Sequence, residues 1–325
     1  MGKLLTPLLA ALLSLALLAG QARAEETPAY VALGDSLAFG VGASDPGTHG
    51  YVGLVFDALR TSDRYRERGL GLVNLSAPGA TSADLLLHGS QLDSAVQEII
   101  RRQEDTSSAD DNVEIISIDI GGNDLLDLAS GDSPCRADLT SGPCGERFAQ
   151  MLGALRSNLK EVVGKLRQAA PKADIIIVGL YNPYSGTGSS LETPADLAVQ
   201  QINGALAGVA ADTSVGAKWA PVFDFFRGRG AQWIAADGLH PNDKGHAVIA
   251  EALLAAIQDR EPALPEDLVS EPPAPTGGSS GPAPPVADTH SNDGNLLLLL
   301  AVAVPAAFLS GGIITGAYFI ARGRR

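Results

Sequence analysis

In the stretch YVALGDSLAFG, residues 30–40, hydrophobic residues give way to a serine, Ser36. A serine hydroxyl attacks a carbonyl carbon only when an adjacent base takes its proton and a carboxylate orients that base. Asp237 and His240 offer such a pair. They stand three residues apart across a turn containing Gly238, so the carboxylate can reach one ring nitrogen while the other faces Ser36. The tetrahedral intermediate of acyl transfer also needs hydrogen-bond donors. Gly79 has no Cβ to keep its N–H from a reacting oxygen, and the Asn123 amide is a further donor. Alone, Ser36 reads as a turn or cap serine; the other segments give it a chemical reading.

These residues need a frame. Five β-rich runs stand out: 30–33, 71–75, 113–118, 174–180 and 219–224. The third and fourth are nearly continuous apolar runs, as strands buried on both faces are. Amphipathic stretches at 51–60, 90–102, 147–169 and 194–211 separate them, and a last helix is predicted from Asn242 to Ile257. Alternating strands and helices predict a five-stranded parallel sheet between helices, with right-handed crossovers. Ligands of such sheets sit beyond the carboxyl ends of the strands. Ser36 follows the first run, Gly79 the second, Asn123 the third, and Asp237 with His240 the fifth, so four polar segments converge on one edge.

GDSL at 34–37, the loop glycine Gly79, GGND at 121–124 and DGLH at 237–240 resemble, in order and spacing, the four sequence blocks of the GDSL, or SGNH, hydrolase family. The resemblance runs from about Tyr30 to Leu254. It implies a flavodoxin-like three-layer α/β/α fold and ester hydrolysis through an acyl-serine intermediate. By it Ser36 is the nucleophile, His240 the base and Asp237 its partner. The Ser36 N–H, Gly79 and Asn123 then form the oxyanion hole. No cofactor or metal is implied. The leading reading is a serine esterase of lipase or lysophospholipase type. A second is an O-deacetylase acting on envelope or extracellular polysaccharide; a third is an exported binding module without catalysis. The loops Leu125–Glu146 and Tyr181–Pro194 are expected to wall the substrate pocket.

The ends of the 325-residue chain place this domain. A positive start, a Leu/Ala run and Ala22-Arg23-Ala24 form a secretory signal peptide over 1–24. The segment 25–260 is the hydrolase domain and 261–294, rich in Pro, Gly and Ser, a tether. Leu296–Ile320 is apolar and without charge, long enough for a membrane helix over 295–321, and the arginines of the tail 322–325 hold the C-terminus in the cytoplasm. Gly312 and Gly316 form a G-x-x-x-G, a helix-pairing pattern that is also common by chance. The hydrolase domain is thereby expected outside the cell membrane. A net charge of −14 argues against nucleic acid as a partner.

Cys135 and Cys144, the two cysteines of the chain, are expected to pair. The bond is predicted to stiffen a wall of the substrate pocket rather than to hold the core. Asp35 and Asp124 are assigned structural roles, and His246, six residues past His240, is expected at the surface. The sequon Asn74-Leu75-Ser76 sits at a strand end and is discounted. GGSSG at 277–281 matches the nucleophile-elbow pattern G-x-S-x-G but lies in the tether with no strand before it, a chance match.

Overall fold

A computed structural model describes residues 27–104, 112–129, 135, 139, 142–264 and 268. The expected signal peptide, membrane span, Gly312, Gly316 and GGSSG, and nearly all of the tether, lie outside these residues. Among the described residues, no helix is long and apolar enough to cross a membrane.

The chain runs β1 (Ala29–Gly34), α1 (Ser36–Phe39), α2 (Tyr51–Thr61), β2 (Gly71–Asn74), α3 (Gln91–Glu104), β3 (Val113–Asp119), α4 (Gly122–Ala129), α5 (Gly142–Ala169), β4 (Asp174–Val178), α6 (Glu192–Ala210), β5 (Lys218–Ala220), α7 (Gly230–Trp233) and α8 (Asp243–Ile257). The strands form one parallel sheet in the order β2-β1-β3-β4-β5. Strand side chains alternate between two cores. Tyr30, Ala32, Ile115, Ile176 and Val178 face α2 and α8. Val31, Leu33, Ile116, Ile118, Ile175 and Ile177 face α3, α5 and α6. Because both faces of the central strands are covered, their sequences read as unbroken apolar runs.

This order reverses direction between β1 and β3, which leaves a crevice at their carboxyl ends. Gly34 and Asp119, the last residues of these two strands, are register partners. Gly34 adopts φ +147°, and a Cβ there would lie 2.4 Å from Asp119 Oδ1. Only glycine ends β1 this way, and the strand hands directly to Asp35 and Ser36.

Several boundaries differ from the sequence reading. The segment after β3 is not one long loop: Gly122–Ala129 is helical, and α5 begins at Gly142. The fifth strand covers only 218–220, because Pro221 cannot donate to the sheet and a 3₁₀ turn follows at Phe223–Phe226. Asn242 precedes α8 and caps it, accepting the N–H groups of Lys244 and Gly245. Core packing also runs past residue 260, since Leu268 is buried with Leu264 against the α2–α8 core.

Cys135 and Cys144 are joined in a disulfide. Both are buried in the core on the α5 side, beside Leu128 and Phe148. That corrects the expected place of the bond. It ties the segment after α4 to the first turn of α5 within the core, and neither cysteine lines the pocket described below. A disulfide is apolar and compact, so the segment running from α4 into α5 that carries it folds it inward.

Candidate active site

The site grows from the first residue after the β1 corner. Asp35 caps α1, its Oδ1 accepting the Leu37 N–H at 2.9 Å, and Ser36 is the first residue of that short helix. The Ser36 N–H is thus one of the free donors at a helix start. The helix ends at Gly40 in the left-handed region (φ +93°).

The opposite partner comes from 204 residues further along the chain. Residues 234–241 form a turn closed by an antiparallel bridge between Ile234 and Pro241 and by the Ala235 N–H bond to the His240 carbonyl at 2.8 Å. Gly238 takes φ +73° at its tip. Within this turn Asp237 Oδ1 accepts the N–H groups of Leu239 and His240, and Oδ2 meets His240 Nδ1 at 2.6 Å. His240 Nε2 lies 2.8 Å from Ser36 Oγ. The three side chains thus form one hydrogen-bonded chain. Burial works against the Asp237 carboxylate, but the bonds from the His240 ring and the two N–H groups outweigh it and hold its pKa down, at about 2. It is therefore ionised at neutral pH and fixes the hydrogen of His240 on Nδ1, leaving Nε2 free to accept from Ser36.

Two supports of the turn were not singled out in the sequence. The Tyr181 hydroxyl donates to the Leu239 carbonyl at 2.8 Å, and its ring stacks on Phe226 (4.4 Å), which meets Trp233 edge-on. Gly42, at φ +92°, packs on the other side. A Cβ there would lie 2.3 Å from the Pro241 carbonyl oxygen and 2.9 Å from His240 Cβ.

The two remaining donor residues also reach this edge. Gly79 takes φ +85° with open space where a Cβ would stand, and it borders the cleft with Ser36. Asn123 lies in the first turn of α4 rather than on a loop. Its Nδ2 donates to Asp35 Oδ2 at 3.1 Å and to the Ala80 carbonyl at 3.0 Å. The structure thus brings together Ser36, Gly79, Asn123, Asp237 and His240.

The other polar residues sort differently. Asp124 Oδ1 and Oδ2 accept the Ser82 hydroxyl and N–H, joining α4 to the Gly79 segment. Asp119, which the sequence reading passed over, is buried behind Asp35. It accepts the Asp35 N–H (3.1 Å) and the Tyr51 hydroxyl (2.5 Å). Its signal was a charged residue closing the apolar run VEIISI. Burial raises the Asp119 pKa to about 6 against the help of these bonds. Burial, and then the Asp119 charge, push Asp35 well above the usual carboxylate range. His246 is fully buried, not at the surface. Its Nδ1 accepts the Tyr51 N–H (3.3 Å) and its Nε2 donates to the Val41 carbonyl (3.0 Å). α8 packs against α2, so the face that carries His246 points inward.

Beside Ser36 and His240 opens a cleft of about 910 Å³, its solvent space included. Leu125 and Leu126 of α4, Leu180, Tyr181 and Tyr184 after β4, and Val199 of α6 form its walls. The expected wall loops thus contribute through a helix on one side and through residues 181–184 on the other. A second cleft borders Asp237 and shares Pro183 and Tyr184 with the first; Thr187, Ser189 and Ser190 line it.

A parallel sheet with a Ser-His-Asp chain at its switch point defines a serine hydrolase architecture. The family model of the GDSL-like lipase/acylhydrolases matches residues 32–248, and the chain belongs to that family. The uncharacterized protein YpmR of Bacillus subtilis (strain 168) is 27% identical over 248 residues, which is 74% of this chain and 85% of that protein. Among solved structures, the lipase Lip_vut3 from a goat rumen metagenome shares 20% identity at a TM-score of 0.53, over 71% of this chain and 97% of that one. An extracellular lipase from Streptomyces rimosus shares 24% identity at a TM-score of 0.52, over 70% and 99%. At these identities the structural likeness speaks to the fold. Family membership implies ester hydrolase activity.

Proposed function

We propose that the chain is a membrane-anchored, extracytoplasmic serine esterase of lipase or lysophospholipase type, working through an acyl-serine intermediate. The observation that carries this reading is the Ser36–His240–Asp237 chain opening onto an apolar cleft. Ser36 Oγ attacks the ester carbonyl while His240 Nε2 takes its proton, and the Asp237 carboxylate stabilises the imidazolium through Nδ1. The carbonyl oxygen, now an oxyanion, receives the Ser36 and Gly79 N–H groups and the Asn123 amide. Collapse breaks the bond to the alcohol oxygen, which leaves with the proton from Nε2. Water, deprotonated by the same nitrogen, then frees the acid and restores Ser36.

The leucine-lined cleft favours an acyl chain over a polar acyl group. The second cleft, with hydroxyl-bearing residues beside Asp237, favours the alternative of an O-deacetylase with a carbohydrate on the alcohol side. Export by the signal peptide 1–24 and anchoring by 295–321 rest on the sequence pattern of the two ends. A catalytically silent binding module has no need of the Ser36–His240–Asp237 chain.

The test is hydrolysis of short- and long-chain p-nitrophenyl esters by the full chain. Ser36→Ala should lower kcat by several orders of magnitude with the fold retained, and a fluorophosphonate should label wild type at Ser36. Turnover kept in Ser36→Ala would refute the mechanism. A profile confined to acetyl esters would favour the deacetylase.

A further inference from the structure

Asp35 sits directly before Ser36, and its two carboxyl oxygens serve two different segments. Oδ1 accepts the Leu37 N–H and so closes the turn that presents Ser36. Oδ2 accepts from Asn123 Nδ2, whose other bond goes to the carbonyl of Ala80, the neighbour of Gly79. One carboxyl therefore joins the Ser36 turn to Asn123 directly and to the Gly79 segment through Asn123.

The carboxyl is itself held from behind. The Asp35 N–H donates to Asp119 Oδ1, and Asp119 Oδ2 takes the Tyr51 hydroxyl. Gly34 leaves no space between β1 and the Asp119 side chain.

A plain helix cap does not require this arrangement. Serine caps a helix as well as aspartate does. What aspartate adds here is a second oxygen that reaches Asn123. We propose that Asp35 is the positioning residue of the oxyanion hole, holding the donors of Ser36, Asn123 and Gly79 at one fixed spacing. The proposal rests on the reading of Ser36 as nucleophile and Asn123 as donor. Both hydrogens of the Asn123 amide are engaged at rest. A developing oxyanion is a stronger acceptor than a peptide carbonyl. The hydrogen on Ala80 is thus the one that an oxyanion entering beside it shares or takes over, while the bond to Asp35 keeps the amide in place.

The experiment uses the full chain with Asp35→Ser, which keeps a capping oxygen but is too short to reach Asn123. It also uses Asp35→Asn, which keeps the shape but turns one acceptor into a donor. Each should lower kcat roughly 10- to 100-fold, somewhat less than loss of a donor itself, with KM within about twofold. Affinity for a trifluoromethyl ketone, whose hemiketal on Ser36 carries an oxyanion, should fall by the same factor. In an Asn123→Ala background, Asp35→Ser should add less than about a threefold loss, because the two residues act through one another. Additive losses would overturn the proposal. So would ketone affinity at the wild-type level, or loss of the fold in both variants, which would make Asp35 a core residue. A wild type that hydrolyses no ester and is not labelled at Ser36 would instead remove the functional reading underneath.

Discussion

Two histidines six residues apart occupy opposite chemical worlds. His240, in the turn before α8, has a carboxylate on Nδ1 and a hydroxyl on Nε2. His246, in the first turn and a half of α8, has a peptide N–H on one nitrogen and a peptide carbonyl on the other. Both are buried, so burial does not separate them. Their partners do. A carboxylate stabilises the imidazolium that forms when the ring takes a proton, whereas two neutral peptide groups suit one neutral tautomer. Burial lowers the His246 pKa to about 4, against the help of its bond to Val41. The fold thus sets one histidine between a carboxylate and a hydroxyl, the surroundings a proton carrier needs, and makes the other a fixed cross-link between α2, α8 and the segment after α1.

The contrast breaks most sharply at Asp237. Asp237→Asn should leave the fold intact and lower kcat on the order of 10⁴-fold in ester hydrolysis, because the tautomer and the imidazolium both lose their support. A loss below tenfold would erase the distinction. His246→Gln should do the reverse, leaving kcat within about tenfold while lowering stability by about 1–3 kcal/mol through the buried peptide groups it leaves.

The pH dependence of that variant sharpens the comparison. His246 has a depressed folded pKa, so its contribution is complete above the unfolded value of about 6.5 and is lost as pH falls toward 4. The stability gap between wild type and His246→Gln should therefore shrink by up to about 3 kcal/mol between pH 7 and 4. Asp119, raised to about 6, titrates in the same window with the opposite sign, but it does so in both proteins. Denaturant unfolding at pH 7, 5.5 and 4 measures the gap, and a constant gap would contradict the buried neutral ring. The smallest effect belongs to Tyr181→Phe. It removes one hydrogen bond to the Leu239 carbonyl, about 1 kcal/mol, and kcat should fall by less than about tenfold.

The reach of the sequence follows from the same physics. Alternation of apolar runs and amphipathic stretches marked the sheet and its helices, because strands covered on both faces carry few polar residues. The residues of the segments that follow the apolar runs, Ser36, Gly79, Asn123, Asp237 and His240, stood out against that apolar ground. The surroundings of each group were less visible. His246 falls on an amphipathic helix whose inward face is set by α2, which only the packing reveals. Asp119 looks like a strand-end charge until Gly34 and Tyr51 are placed around it. The cysteines were separated from the core in the sequence because their segment is polar, yet the cystine turns inward. Tyr181 supports the His240 turn through a main-chain carbonyl, a contact with no sequence signature.

The bond between Ser36 and His240 spans 204 residues, and that between His246 and Val41 spans 205. A polypeptide made from its N-terminus therefore carries Ser36 long before the residue proposed as its base has been made. Until His240 and His246 are in place, Ser36 lacks the imidazole at its hydroxyl and Val41 lacks the bond from His246. Truncation anywhere before His240 would remove the base proposed for Ser36, and ester cleavage by a nascent chain should begin only once His240 has emerged and folded against Ser36.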